Sequence, residues 1–251
     1  MRDNFILGAH RGLSASAPEN TIAAFELAIS KSFPHIEFDA QLSADGAAVV
    51  IHDSEVDRTT DGAGPVASLS LAELQALDAG SWFASEFAGE RISALAEVLE
   101  RLVGRAHIYL ELKSSEPELP GHVAEDLRDS GWLLETGDAP DSPVGLSIVS
   151  FSLPQLQRSL VELGKGVRHG WLVHEITREI ITQAENAELT GLCVKADNVD
   201  STQVGLARDA GLHVRGWGVG DLTDLQRLID AGASGTTVNW PDRARRYMDS
   251  P

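Results

Sequence analysis

The residues best suited to chemistry in this chain are His10-Arg11, Glu37 and Asp39, His52-Asp53, and Glu111 with Lys113. Each group closes a short apolar run, and Asp, Glu, Lys and Arg are almost never fully buried unless paired. Glu37 and Asp39 are two residues apart, so in a strand both side chains point the same way and repel each other unless positive charge lies between them. With Glu111 they offer only hard oxygen donors, a set that suits Ca²⁺ or Mg²⁺, with Mn²⁺ also compatible, rather than zinc. A salt-bridge network with Arg11 and Lys113 is the metal-free alternative, and buried ion networks of that kind are costly.

His10 and His52 lie at separate apolar-run ends, and two imidazoles titrating near neutrality can divide proton transfer, one taking a proton and the other giving one. Arg11 can hold phosphate oxygens in a bidentate fork, and Lys113 adds a movable point charge. Together these groups describe phosphoryl chemistry, in which an anionic phosphorus centre is clamped and its developing charge is stabilised electrostatically. His35, His107, His122, His169, His174 and His213 lack such company and read as structural.

Positioning these residues requires strands. Short β-rich runs recur through the chain as FILGAH, HIEFD with VVIH close behind, HIYLELK, GLSIVSF, HGWLV, GLCVK, HVRGWGV and GTTVN. Helical periodicity falls between them: Ile22, Phe25 and Ile29 mark one face, and Leu95, Val98, Leu99 and Leu102 another. Similar spacing appears in LPQLQRSLVEL, ITREIITQAENA, VDSTQVGLARDAG and LTDLQRLIDAG, several closed by glycine as a helix C-cap requires. Eightfold strand-helix alternation predicts an α/β fold of the TIM-type (β/α)8 class, with an open doubly wound sheet as the alternative. Active sites of such barrels lie at the C-terminal strand ends, where the ionisable groups fall. The segment from about 53 to 90 breaks the rhythm with Gly, Ser and Asp, and carries a capping box at Ser70 and Glu73. It reads as an insertion after the second strand region, within a single catalytic barrel domain spanning 1–251.

The 251 residues are 43% hydrophobic and 23% charged, ample for a core, with a formal net charge of -18. That charge argues against nucleic acid or an anionic membrane as partner, so an anionic small molecule would need local positive charge. One cysteine, Cys193, excludes an intramolecular disulfide framework and reads as a small core residue. No run approaches membrane-spanning length or signal-peptide form, which predicts a cytoplasmic protein without stable membrane association.

The stretches GAHRGLSASAPENTIAAFELA, IEFDAQLSADGAAVVIHD, DRTTDGAGPVASLSLAELQALDAGSWF, FAGERISALAEVLE and YLELK, in that order, closely resemble the glycerophosphodiester phosphodiesterase family. SFSLPQL, VRGWGVGD and the closing WPD match more loosely. The resemblance implies a TIM-type barrel and metal-dependent hydrolysis of glycerophosphodiesters to glycerol 3-phosphate and an alcohol. It puts His10 and His52 in the acid-base pair, Glu37, Asp39 and Glu111 around a divalent cation, and Arg11 and Lys113 on the phosphate. Rival readings are a lysophospholipase D or a phosphoinositide-type phosphodiesterase on the same scaffold, and a non-catalytic phosphodiester-binding barrel. Head-group alcohol, metal identity, oligomeric state and the division of labour between the histidines stay open at this level.

The chain departs from the family pattern at Trp217-Gly-Val-Gly220, where W-T-V-N is frequent, and at Val238-Asn239-Trp240-Pro241, where a T-D is common. Both departures are expected on the alcohol side of the pocket, away from the catalytic set. Trp217 is expected to form an apolar wall for substrate there, with Phe151 as a second candidate.

Overall fold

The computed structural model describes residues 5–135, 142 and 144–250. Among these residues nine strands form one sheet: β1 (Ile6–His10), β2 (His35–Leu42), β3 (Ala48–Val50), β4 (His107–Leu112), β5 (Gly145–Ser150), β6 (Arg168–Val173), β7 (Gly191–Lys195), β8 (His213–Trp217) and β9 (Gly235–Val238). Eight of them run parallel in the order β1-β9-β8-β7-β6-β5-β4-β2, and β2 pairs back onto β1 to close a (β/α)8 barrel. The open doubly wound alternative is thereby excluded. β3 is not a barrel stave: it pairs antiparallel with the far end of β2, which runs on past Asp39 to Leu42.

Among the described residues ten helices accompany the strands: α1 (Ile22–Ser30), α2 (Leu71–Gln75), α3 (Leu95–Leu102), α4 (Leu119–Asp129), α5 (Trp132–Glu135), α6 (Leu153–Leu163), α7 (Arg178–Asn186), α8 (Ser201–Asp209), α9 (Leu222–Ala231) and α10 (Pro241–Met248). Local chemistry sets their ends. Asp221 caps α9 by accepting from the Thr223 and Asp224 amides, and Gly232, at φ 83°, ends it. Helices α4 and α10 carry Pro in the first turn, which resembles loop punctuation in sequence but is tolerated there because those amides have no intrahelical partner.

Strand alternation divides the molecule into two environments. Outward residues such as Ile36, Phe38, Ile108, Leu110, Ile148 and Leu192 are buried against helix residues including Phe25, Leu99, Val123 and Leu156, forming the main apolar core. Inward residues of β2 and β4 are His35, Glu37, Asp39, His107, Tyr109 and Glu111, all buried. The apolar layer therefore lies outside the barrel, and the interior is free to be polar.

Between β3 and α3 the chain forms short 3-10 turns, the helix α2 and connecting loops. The capping box is present: Ser70 accepts from the Glu73 amide while Glu73 accepts from the Ser70 amide. Val49, Ile51, Val56, Val66, Leu74, Ala79 and Ile92 give this segment a small apolar cluster of its own. Among the described residues, no helix is long and apolar enough to cross a membrane.

Candidate active site

The turn after β1 sets the first two site residues. Arg11 and Gly12 both have positive φ, 56° and 78°, and a Cβ on Gly12 would meet the Ala24 backbone at 2.7 Å. A non-glycine residue in the left-handed region carries strain, which surrounding contacts must hold. Here the Arg11 amide donates to Glu37 Oε2 at 3.1 Å, fastening the turn to β2.

Glu37, Asp39 and Glu111 converge as the spacing predicts, with one oxygen from each within 4.8 Å of the others. All three are buried, Asp39 completely. Burial first, then Asp39 and Glu111, push the Glu37 carboxyl well above its ordinary range. Burial and Asp39 raise Glu111 to about 7 against the pull of Lys113. Asn20 donates to Asp39 Oδ2 at 2.9 Å and Arg11 Nε approaches the same oxygen at 3.3 Å, but Asp39 Oδ1 is buried with no hydrogen-bond partner. Lys113 Nζ lies 3.0 Å from Glu111 Oε1. Three crowded hard oxygens, two raised carboxyls and one orphaned lone pair fit a divalent cation better than they fit an ion-pair network.

The two histidines flank this cluster with different partners. His10 Nε2 lies 3.7 Å from Glu37, and its Nδ1 is 2.6 Å from Asn239 Oδ1. Burial and the nearby Arg11 charge push His10 down to about 4. His52 Nδ1 is 2.6 Å from the Asp53 carboxylate, which hydrogen bonding to Arg58 holds well below its usual range. Gln41, next on the inward face of β2 after Asp39, donates to the carbonyls of Ile51, His52 and Asp53 and so fixes this loop.

Arg58 joins Asp53 to Glu19, and Glu19 accepts in turn from Arg11 at 2.8 Å. Burial pushes Glu19 up, yet its bonds to Arg58 and Arg11 outweigh that and bring it down to about 2. The chain of polar contacts His52, Asp53, Arg58, Glu19, Arg11, Asp39 thus ties the inserted segment to the barrel.

His10, Arg11, Glu37, His52, Glu111, Lys113 and Trp217 line one cavity of about 350 Å³ at the C-terminal strand ends, with Asp39 behind them. Phe151, 41% exposed, meets Trp217 edge-on at 4.9 Å, and Lys113 Nζ lies 5.9 Å from the Phe151 ring centre. His174 packs against Trp217 at 5.4 Å. Every sequence-nominated site residue is thus brought to one place.

One expectation is corrected. The departure at Asn239 does not stand apart from the nominated pair, because the end of β9 lies beside the end of β1 and Asn239 is the Nδ1 partner of His10. Glu19, Asn20, Gln41 and Arg58 are further site residues that sequence reasoning missed. Of these, Gln41 had a readable signal in its inward register two residues beyond Asp39.

The model of the glycerophosphoryl diester phosphodiesterase family matches residues 10–243. A glycerophosphodiester phosphodiesterase of Bacillus subtilis is 34% identical, covering 96% of this chain and 85% of the relative. One from Caldanaerobacter subterraneus is 35% identical over 93% of each. A phosphodiesterase structure from Oleispira antarctica, in complex with the product sn-glycerol-3-phosphate, superposes with a TM-score of 0.87 at 31% identity, covering 97% of this chain and 96% of that one. Fold, site geometry and these likenesses agree that the chain belongs to the glycerophosphoryl diester phosphodiesterase family.

Proposed function

We propose that this protein hydrolyses glycerophosphodiesters to glycerol 3-phosphate and an alcohol, with a divalent cation held by Glu37, Asp39 and Glu111 and with His10 and His52 handling the protons. The observation that carries this reading is the meeting, in one cavity, of a buried carboxylate triad and two histidines whose Nδ1 partners differ in charge. A bound Ca²⁺, Mg²⁺ or Mn²⁺ would polarise a phosphoryl oxygen and offset the negative charge that builds at phosphorus. Arg11 and Lys113 bring fixed positive charge to the phosphate oxygens.

The unequal partners divide the histidines. An amide oxygen accepts His10 Nδ1–H and leaves the Nε2 lone pair open, which suits a base. The Asp53 carboxylate anchors the His52 ring through Nδ1 and leaves Nε2 to carry the acid's role. In this reading the substrate's glycerol 2-hydroxyl gives its proton to His10 as its oxygen attacks phosphorus, and His52 protonates the departing alcohol. Water then opens the cyclic phosphate with the two roles exchanged. Trp217 and Phe151 form the apolar wall that receives the alcohol. The reading keeps the enzyme in the cytoplasm, and its acidic net charge supports diffusible substrates over those held in anionic bilayers.

Purified protein assayed on glycerophosphocholine, glycerophosphoethanolamine and a lysophospholipid should turn over the first two and release sn-glycerol 3-phosphate. Turnover of the lysophospholipid alone transfers the reading to a lysophospholipase D, and no turnover of any leaves a binding barrel. A transient cyclic phosphate is expected by phosphorus NMR. Its absence, together with full activity on a substrate lacking the 2-hydroxyl, sinks the intramolecular route in favour of direct water attack.

A further inference from the structure

A second cavity, of about 220 Å³, opens at the opposite end of the barrel. Its wall includes Ile6, Arg168, Gly191 and His213, which begin β1, β6, β7 and β8, so it faces away from the carboxylate triad. TIM barrels normally fill this region with layers of branched apolar side chains. Here the inward register places Gly170 and Gly191 on neighbouring strands, and Arg215 extends into the space that remains. A Cβ on Gly235 would lie 2.8 Å from Arg215 Nη1, so glycine there makes room for the guanidinium.

Among the described residues, the charge lining this cavity runs against that of the protein. Arg168, Arg215 and His213 line it, and none of the described lining residues is acidic, in a chain of net charge -18. The Arg215 guanidinium carbon lies 4.1 Å from the Tyr109 ring centre, which fixes its orientation without neutralising it. Among the described residues Arg215 forms no ion pair, and its Nη2 is buried with no hydrogen-bond partner. A guanidinium inside a barrel without a counter-charge is costly unless an anion comes to it. The hydroxyls of Ser147, Thr190 and Ser234 lie on the same wall.

We propose that this lower cavity is a binding site for a phosphate group, either inorganic phosphate or a small phosphomonoester, held by Arg168 and Arg215. Guanidinium groups match the oxygen geometry of phosphate, and the volume accommodates a phosphate bearing a short alcohol. Tyr109, Val149, Cys193 and Arg215 line both cavities, so an occupant would rest against the floor of the site above. The inference needs no catalytic turnover and stands independently of the reaction assigned to the upper cavity.

The test is titration of EDTA-treated protein with inorganic phosphate and, separately, with sn-glycerol 3-phosphate, against chloride at matched ionic strength. Calorimetry and the ring protons of His213 and His10 report binding at the two ends. Saturable binding should move His213 more than His10 and persist in an Arg11→Gln/Lys113→Gln variant. It should weaken by about tenfold or more in Arg215→Met, the scale of a lost charge-assisted hydrogen bond. Arg168→Gln, at the cavity mouth, should weaken it likewise and carries the test if Arg215→Met does not fold. Saturation by phosphate alone identifies the free ion, and tighter saturation by glycerol phosphate identifies the monoester; either supports the site. A response no larger than that to chloride, or binding lost in Arg11→Gln/Lys113→Gln and unchanged in Arg215→Met and Arg168→Gln, overturns it.

Discussion

At the scale of single residues, the site depends on what each imidazole leans against. Replacing His10 or His52 by Ala should lower kcat by about 10²–10⁴ with the fold retained by circular dichroism, the usual range for acid-base groups. Near-normal turnover in either variant removes that residue from the chemistry. Asn239 acts through His10 by fixing its tautomer, so Asn239→Leu should lower kcat by about 10- to 100-fold, on the scale of removing the partner that orients a reactive imidazole. KM should change little and Asn239→Gln, which keeps a neutral amide acceptor, should restore part of the rate, whereas equal losses in both variants would assign Asn239 a packing role. Glu37, Asp39 and Glu111 were legible in the sequence because strand alternation alone puts charges two apart on one face. Asn239, Glu19 and Arg58 were not, since their partners lie 229, 8 and 39 residues away or across loops of irregular path.

At the scale of elements, the barrel and the inserted segment have separate physical origins. Eight strand-helix units announce themselves through periodicity, and the helix over Leu153–Leu163 falls where apolar spacing and the closing Gly164 place it, with Ser152 capping its start. The antiparallel β3 has no such signature, because three buried residues, Ala48 to Val50, read the same in a hairpin as in a barrel stave. His52 follows directly after that hairpin, and the apolar cluster under the insertion holds its loop from below. Leu74, fully buried there, should cost about 2–5 kcal/mol when changed to Ala, the range for buried leucines that leave a cavity. Urea unfolding measures this. A loss under about 0.5 kcal/mol, the level of an inert surface change, would mean that the cluster does not support the segment.

At the scale of the whole molecule, the site works against the stability of the metal-free protein. Glu111 is raised from 4.5 to about 7, so the folded form binds its proton more tightly than the unfolded chain does. That contribution is present below 4.5 and is lost as pH rises towards about 7. Glu19 has the opposite sign: lowered from 4.5 to about 2, it stabilises above 4.5 and is lost as pH falls towards about 2. Thermal melts in EDTA should therefore decline between about pH 5 and 7, and a divalent cation should reverse the decline. At a hundredfold excess over Kd a cation adds about 2.7 kcal/mol, or roughly 5–10 °C in Tm for a chain of this size. Identical melts with and without cation would remove it from the site.

The central claim is cation-dependent cleavage at the carboxylate triad. Its most direct measurement is release of sn-glycerol 3-phosphate from glycerophosphocholine by protein stripped with EDTA and then supplied with Ca²⁺, Mg²⁺ or Mn²⁺. The account predicts that release stops on stripping, returns with at least one of these ions, and does not return in Glu37→Gln or Glu111→Gln. Undiminished release after complete metal removal, or full restoration in those variants, would contradict it.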